Sequence, residues 1–457
     1  MRLYGSLPDV YYTTKEGGFH HLPRLRNLSK YRIRDLILLE NIKIIFMRLF
    51  LTTTSTGNTI SSYQRIGGDK SMTKRPSPTG KYAVGTCTYT VYNDREEVLV
   101  PGTMRNISAR LYYPVSKESV KGLEMTRYMS RNVAKGLAKS VHAPINYDKR
   151  EAAGDNVSEC YTDAPVIGGV KFPLVVFSHG YFAYRESNAF LCIELASHGY
   201  VVLCIGHPLE ACCTEFDDGS FIFSLKGLSN KQYEPFLGGM IHAMKLTQNK
   251  KGTERELAAQ FDELQRGYCK FLMSRVPEWE KDTLSAVAYA KEHYADLIDF
   301  TPGIAVTGHS FGGATAYALC QHDPEYVCGV NLDGMLLGDY KDMIMTKPFL
   351  QICCKGNYCA ETKSLIDHSS PVYLAKFEGM QHLGFTDMKH MMAIRALTGK
   401  LNADIAFENI RKLHLEFFEA YFRKSKEYPD FESNEAVTVK VYEPDVPMPS
   451  PSSFSSC

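Results

Sequence analysis

The chain has 457 residues, 44% of them hydrophobic, and its 52 Lys and Arg nearly balance 51 Asp and Glu for a formal net charge of +1. That length and apolar content suffice for one large buried core. The near-neutral balance supplies no field for nucleic acid or for an acidic partner.

In chain order, residues 1–75 read as a partly irregular N-terminal extension. It holds an apolar stretch, Ile33 to Leu51, broken by Arg34, Asp35, Glu40, Lys43 and Arg48, which is no transmembrane span. That stretch reads as a buried or targeting segment, or else Met47 or Met72 is the functional start. Residues 82–114 alternate apolar and polar side chains and predict two or three strands. Met125 to Val141 follows as a basic amphipathic helix: apolar residues recur at 125, 129, 133, 137 and 141, with cations at 127, 131, 135 and 139. Such a helix either packs its stripe on a core or lies on an anionic membrane surface.

Leu174-Val175-Val176-Phe177 predicts a buried strand that breaks at His179-Gly180-Tyr181. From there strands and helices alternate, which implies a mainly parallel sheet flanked by helices. Residues from Asp217 to about Ser285 are polar and helical, with Glu254 to Leu272 amphipathic, an inserted helical cap or a crossover between strands. Then comes Ile304-Ala305-Val306-Thr307-Gly308-His309-Ser310-Phe311-Gly312-Gly313, an apolar run into G-x-S-x-G, followed by the helix-forming Ala314 to Leu319. This strand–turn–helix context makes Ser310 a candidate nucleophile, because a tight turn with small neighbours projects its hydroxyl above the sheet.

A serine nucleophile needs a base, an acid to orient that base, and N–H donors for the developing oxyanion. Asp333 ends the strand-like run Val327 to Leu332. His382 lies in a loop past the last apolar run, Val372 to Phe377. His368 and His390 are rivals to His382 on less suitable elements. Asp339 and Glu361 remain alternatives to Asp333, whereas Asp323 reads as a turn residue. The backbone N–H groups of Phe311 and Tyr181 are the candidate oxyanion donors. The chain closes with Met388 to Leu397, a second amphipathic helix, and a Pro- and Ser-rich tail over 436–457 that predicts disorder. The catalytic unit is thus expected over 76–435.

Thirteen cysteines, including Cys192, Cys204, Cys328, Cys353 and Cys354 inside expected strands or helices, read as buried reduced thiols. None has metal-ligand spacing with histidine, so neither metal nor cofactor is expected. This favours a cytoplasmic, membrane-associated protein. The Asn-x-Ser sites at Asn27, Asn106 and Asn156 keep secretion as the alternative.

The ordered set Thr79-Gly80-Lys81-Tyr82-Ala83-Val84-Gly85, Arg110-Leu111-Tyr112-Tyr113-Pro114, Phe172 to Gly180, Glu194 to Tyr200, Gly308 to Thr315, Cys328 to Asp333 and Gln381-His382 resembles the platelet-activating factor acetylhydrolases of the plasma and intracellular type II group. The resemblance covers about residues 79–425. It implies an α/β-hydrolase fold with Ser310 as nucleophile, Asp333 as acid, His382 as base, and Tyr181 and Phe311 as oxyanion donors. It implies hydrolysis of a short or oxidised sn-2 acyl ester of a phospholipid. It also implies docking on a peripheral membrane surface through Met129, Val133, Leu137, Met391 and Met392. Two departures touch the pocket wall rather than the triad: Gly206-His207-Pro208-Leu209 stands where the family favours Glu-His-Arg-Asp, and Leu383-Gly384 where it is more polar. A generic short-chain carboxylesterase or dienelactone-type hydrolase, and an inactive lipid-binding homologue, are the competing readings. The oligomeric state stays open.

Overall fold

Runs of β-branched and aromatic residues, each five to nine residues long in most cases, set the sheet that carries the site. The structure is a computed structural model that describes residues 75–140, 145–225, 252–391 and 395–447. All of these belong to one unit, 65–457. Apart from Arg75, the expected N-terminal extension lies outside the described residues, and so does Met392.

The strands are β1 (Ala83–Val91), β2 (Ile107–Val115), β3 (Tyr161–Thr162), β4 (Phe172–Ser178), β5 (Val201–Gly206), β6 (Cys213–Glu215), β7 (Phe221–Phe223), β8 (Ile298–His309), β9 (Tyr326–Leu332), β10 (Phe349–Cys354), β11 (Val372–Phe377) and β12 (Val437–Tyr442). The helices are α1 (Arg131–Ser140), α2 (Tyr147–Ala152), α3 (Ala189–Ser197), α4 (Glu254–Tyr268), α5 (Lys270–His293), α6 (Phe311–His322), α7 (Met388–Met391), α8 (Arg395–Thr398) and α9 (Ala403–Tyr421). Ten strands form one sheet in the order β12-β11-β10-β9-β8-β4-β5-β2-β1-β3. From β5 to β11 neighbouring strands run parallel, while β1, β2 and β12 add antiparallel pairings at the two ends.

Alternation splits each central strand between two cores. Val175 and Phe177 of β4 face the layer of α1, α3 and α9, whereas Leu174 and Val176 face α5 and α6. A parallel sheet needs helices on both faces to remain dry, and this one has them. The chain leaves β4 toward β5 on one side and returns to β8 on the other. The carboxyl ends of β4 and β8 therefore form the crevice where open α/β sheets bind ligands.

Two expectations are corrected, and one alternative is chosen. The helix expected from Met125 begins only at Arg131. Residues 126–128 instead pair with the segment 156–160 through Thr126 N–H to the Cys160 carbonyl and Tyr128 N–H to the Asn156 carbonyl. Its apolar stripe does not face a membrane: Met129, Val133 and Leu137 are 4%, 5% and 2% exposed, and Met391 is 7% exposed. All four pack in the core layer shared with α3 and α9. Gly136 lets α1 sit directly on the Cys212 carbonyl, where any side chain would collide. Two of its cations are paired with acids, Arg127 with Glu151 and Arg131 with Asp148, and Lys139 lies over the Phe223 ring.

The insert, of which residues 226–251 lie outside the described ones, takes the crossover alternative. It opens with the β6–β7 hairpin, and α4 starts on a capping box of Thr253 and Glu256. Helix α5 is not a cap: Trp279, Ala286, Val287 and Ala290 bury it against the sheet and α6 as the crossover into β8. The second correction is the tail. Val437–Tyr442 pairs antiparallel with β11, so this part of the expected tail is a sheet edge, while 448–457 lie outside the described residues. Its alternating Val437-Thr438-Val439-Lys440-Val441-Tyr442 buries Val437 and covers β11.

Among the described residues the cysteines are free thiols, all buried except the half-buried Cys87. No helix among them is long and apolar enough to cross a membrane.

Candidate active site

Strand β8 delivers the chain to Ser310, which takes φ 57°, ψ −119°, a left-handed conformation that L-residues enter only when the surroundings enforce it. The glycines around it are what make this possible. A side chain on Gly312 would collide with the Ser178 carbonyl, and one on Gly308 would collide with Gly312 itself. The turn is therefore locked between β4 and α6, with the Ser310 side chain half-buried at the carboxyl edge of the sheet.

Asp333 follows β9 in a second left-handed turn, φ 57°. Asn331 staples that turn: its Oδ1 accepts from Gly334 N–H at 2.9 Å and its Nδ2 donates to the Gly334 carbonyl at 2.8 Å. The Asp333 carboxylate is fully buried and accepts from Cys354 N–H at 2.7 Å and from the Asn357 amide at 2.9 Å. His382 begins a short 3-10 turn after β11. Its Nδ1 lies 2.6 Å from Asp333 Oδ2 and its Nε2 lies 2.9 Å from Ser310 Oγ.

These contacts form one hydrogen-bonded chain of hydroxyl, imidazole and carboxylate. With Nδ1–H donated to Asp333, the ring presents its Nε2 lone pair to the serine. That is the tautomer needed to take the serine proton. The Asn357 amide also lies 3.2 Å from His382 Nδ1. Both are donors in this tautomer, so the amide's working bond is the one to Asp333.

The loop after β4 closes the other side. Gly180 approaches so near that a methyl there would meet Ser310 Cβ at 3.0 Å, which sets Tyr181 next to the nucleophile, opposite Phe311 at the start of α6. His179 lies beneath, its Nδ1–H donating to the Gly180 carbonyl at 2.7 Å. Burial, aided by the neighbouring His207, pushes the His179 imidazole down to about 3, so it is neutral.

The rival residues lie elsewhere. His368 Nδ1 bonds the Ser370 carbonyl, Asp339 pairs with Arg266, and Asp323 accepts from Glu325 N–H in its turn. His390 faces Asp404. Glu361 is buried close to the acid but does not touch the imidazole. Burial, then the Asp333 charge, drives its carboxyl well above the ordinary range.

Two contributors escaped the sequence. His309, the variable residue of the turn, places Nε2 3.0 Å from the His382 carbonyl and donates to it. Burial, then His382, holds its pKa well below the ordinary value. Asn357 sits in the loop after β10, and its amide there serves the carboxylate from the neighbouring strand. Neither position carries a local signal. Among the described residues no group of His, Cys, Asp and Glu is arranged to hold a metal ion.

Comparison with known proteins bears on this geometry. Residues 67–438 match the family model for "Platelet-activating factor acetylhydrolase, isoform II". A platelet-activating factor acetylhydrolase of Cavia porcellus is 25% identical over 376 residues, 78% of this chain and 80% of that protein. One of Gallus gallus is 23% identical over 417 residues, 84% and 93% respectively. A solved ferulic acid esterase from Streptomyces cinnamoneus superposes with a TM-score of 0.54 at 19% identity, covering 81% of this chain and 99% of that one, a likeness of fold. The chain belongs to the platelet-activating factor acetylhydrolase, isoform II, family.

Proposed function

We propose that the protein is a serine esterase that hydrolyses the short or oxidised sn-2 acyl ester of platelet-activating factor and related phospholipids. The observation that carries this is the unbroken chain from Ser310 Oγ through His382 to Asp333 in a member of this family. Ser310 Oγ attacks the ester carbonyl carbon as His382 Nε2 takes its proton. The N–H groups of Tyr181 and Phe311 stabilise the oxyanion. His382 returns the proton to the departing sn-2 oxygen, leaving an acyl-serine. A water then attacks the acyl carbon, giving its proton to the same nitrogen, and the acid leaves with Ser310 restored. No metal or cofactor takes part.

A lipid surface is the companion reading, and its contacts come from other residues than those expected. Strand β1 runs parallel to β5, so the β1–β2 loop stands at the same carboxyl edge as Ser310. That loop exposes Val98 (61%) and Met104 (55%). The loop base is clamped by Arg105, which pairs with Glu97 and with Asp282 of α5.

The test is a fluorophosphonate probe with wild type and Ser310→Ala, alongside hydrolysis of a short-chain sn-2 phospholipid and of p-nitrophenyl acetate. Labelling at Ser310 and preference for the phospholipid are expected. An unlabelled wild type, or a fully active Ser310→Ala, ends the proposal. Equal rates on both esters point to the generic carboxylesterase instead.

A further inference from the structure

The chain has one tryptophan, and it lies against both candidate oxyanion residues. Trp279, on α5, is fully buried. Its ring meets Phe311 edge-on at 4.7 Å between centroids and runs parallel to Tyr181 at 6.1 Å. Tyr181 and Phe311 also meet each other edge-on at 5.4 Å. These two residues come from different elements, the loop after β4 and the first turn of α6, and no backbone ladder joins them. Trp279 fills the angle between them.

What fixes Trp279 is equally specific. His207 stacks face to face on it at 3.6 Å, the two planes nearly parallel at 11°. His207 Nδ1 bonds Asp282 at 2.8 Å, one turn further along α5, and Arg105 holds the same carboxylate at 2.7 Å. The backbone N–H of His207 donates to His179 Nε2 at 3.3 Å, and His179 in turn donates to the Gly180 carbonyl, one residue before Tyr181. A rigid path thus runs from a buried ion cluster, through stacked rings, to both sides of the nucleophile.

We infer that Trp279, locked by His207 and Asp282, is the positioning residue that sets the separation of the Tyr181 and Phe311 N–H donors. This rests on the oxyanion assignment made above. Trp279 touches no reacting atom. It acts by keeping two independently supported amides aimed at one point, which is where preorganised donors earn their catalytic value. Loss of an aligned donor costs a serine hydrolase on the order of 10²–10³ in kcat, and a misplacement of about 1 Å about 10².

The experiment compares wild type, Trp279→Phe and Trp279→Leu on a soluble ester, with Tm measured for each. For Trp279→Leu we expect kcat lower by about 10–100-fold with KM within about threefold, and the rate of phosphonylation lower in parallel. Trp279→Phe, which keeps a flat ring against His207, should recover most of kcat. A folded Trp279→Leu with unchanged kcat, or one in which only KM moves, overturns the inference. A second measurement needs no variant. Tryptophan emission in the wild type comes from this one side chain, so phosphonylation of Ser310 should shift or quench it. Complete labelling without any change in emission overturns the inference. Wild type that fails to label at all speaks against the serine esterase reading, a separate result.

Discussion

The imidazole next to the candidate nucleophile holds the backbone of the candidate base: His309 Nε2 donates to the His382 carbonyl at 3.0 Å. The ring centroids of the two histidines are 4.7 Å apart. Since β8 carries Ser310 and the loop after β11 carries His382, this bond is a direct tie between the two loops that must meet. His309→Ala removes it, together with the ring contact to His382, while leaving Ser310, His382 and Asp333 themselves in place. The expected outcome is a fall in kcat of about 10–100-fold with little change in KM, partly restored in His309→Gln. Steady-state kinetics on a soluble ester decide it.

Asp333→Asn preserves the shape of the acid but offers an amide to His382 Nδ1, favouring the tautomer that presents N–H to Ser310. A drop in kcat of about 10⁴ is expected, as in the general Ser-His-Asp scheme, with the fold intact. Rates and circular dichroism measured together separate lost chemistry from lost structure.

Glu361 titrates against stability. Its folded carboxyl lies well above the ordinary 4.5, from burial first and the Asp333 charge second. The folded form therefore keeps a proton that the unfolded chain releases, so stability falls as pH rises from about 4.5 toward the raised value. Glu361→Gln, already neutral, should flatten that slope and leave kcat nearly unchanged at neutral pH. Urea denaturation at a series of pH values reads it out; an unaltered slope contradicts a proton on Glu361.

Lipid contact has opposite expectations for two surfaces. Val98→Glu/Met104→Glu should leave hydrolysis of p-nitrophenyl acetate intact but reduce co-sedimentation with phosphatidylcholine vesicles. Met129→Glu/Leu137→Glu should instead fail to fold, because each buried carboxylate costs several kcal/mol. Unchanged sedimentation of the loop variant removes the lipid role of that loop.

Truncation after Ala436 deletes β12 and bares the hydrogen-bonding edge of β11. A lower Tm and concentration-dependent aggregation are expected, by thermal melting and light scattering.

The fold and triad were legible because their signals are local. Glycines flanking Ser310 mark a turn no larger residue fits, and Asp333 and His382 both follow apolar runs that end in loops. The oxyanion candidates came from the same logic at His179-Gly180. What periodicity could not supply was the neighbour on the other side of a face. The stripe Met129, Val133, Leu137 fits a membrane as well as a sheet, and only the sheet's need for cover decides between them. Composition misled at the tail, where prolines after Tyr442 drowned the strand alternation just before them. Asn357, His309 and Trp279 act through partners far away in sequence, so no spacing announces them.

The thiols buried among the described residues have been put out of reach. Apart from half-buried Cys87, the described cysteines lie inside the core. Burial raises Cys212, Cys353 and Cys354 well above the ordinary thiol range. Because thiolate is the reactive form, alkylating agents find little to attack at these positions. A covalent warhead offered both kinds of atom is thereby steered away from these buried thiols and toward oxygen at Ser310.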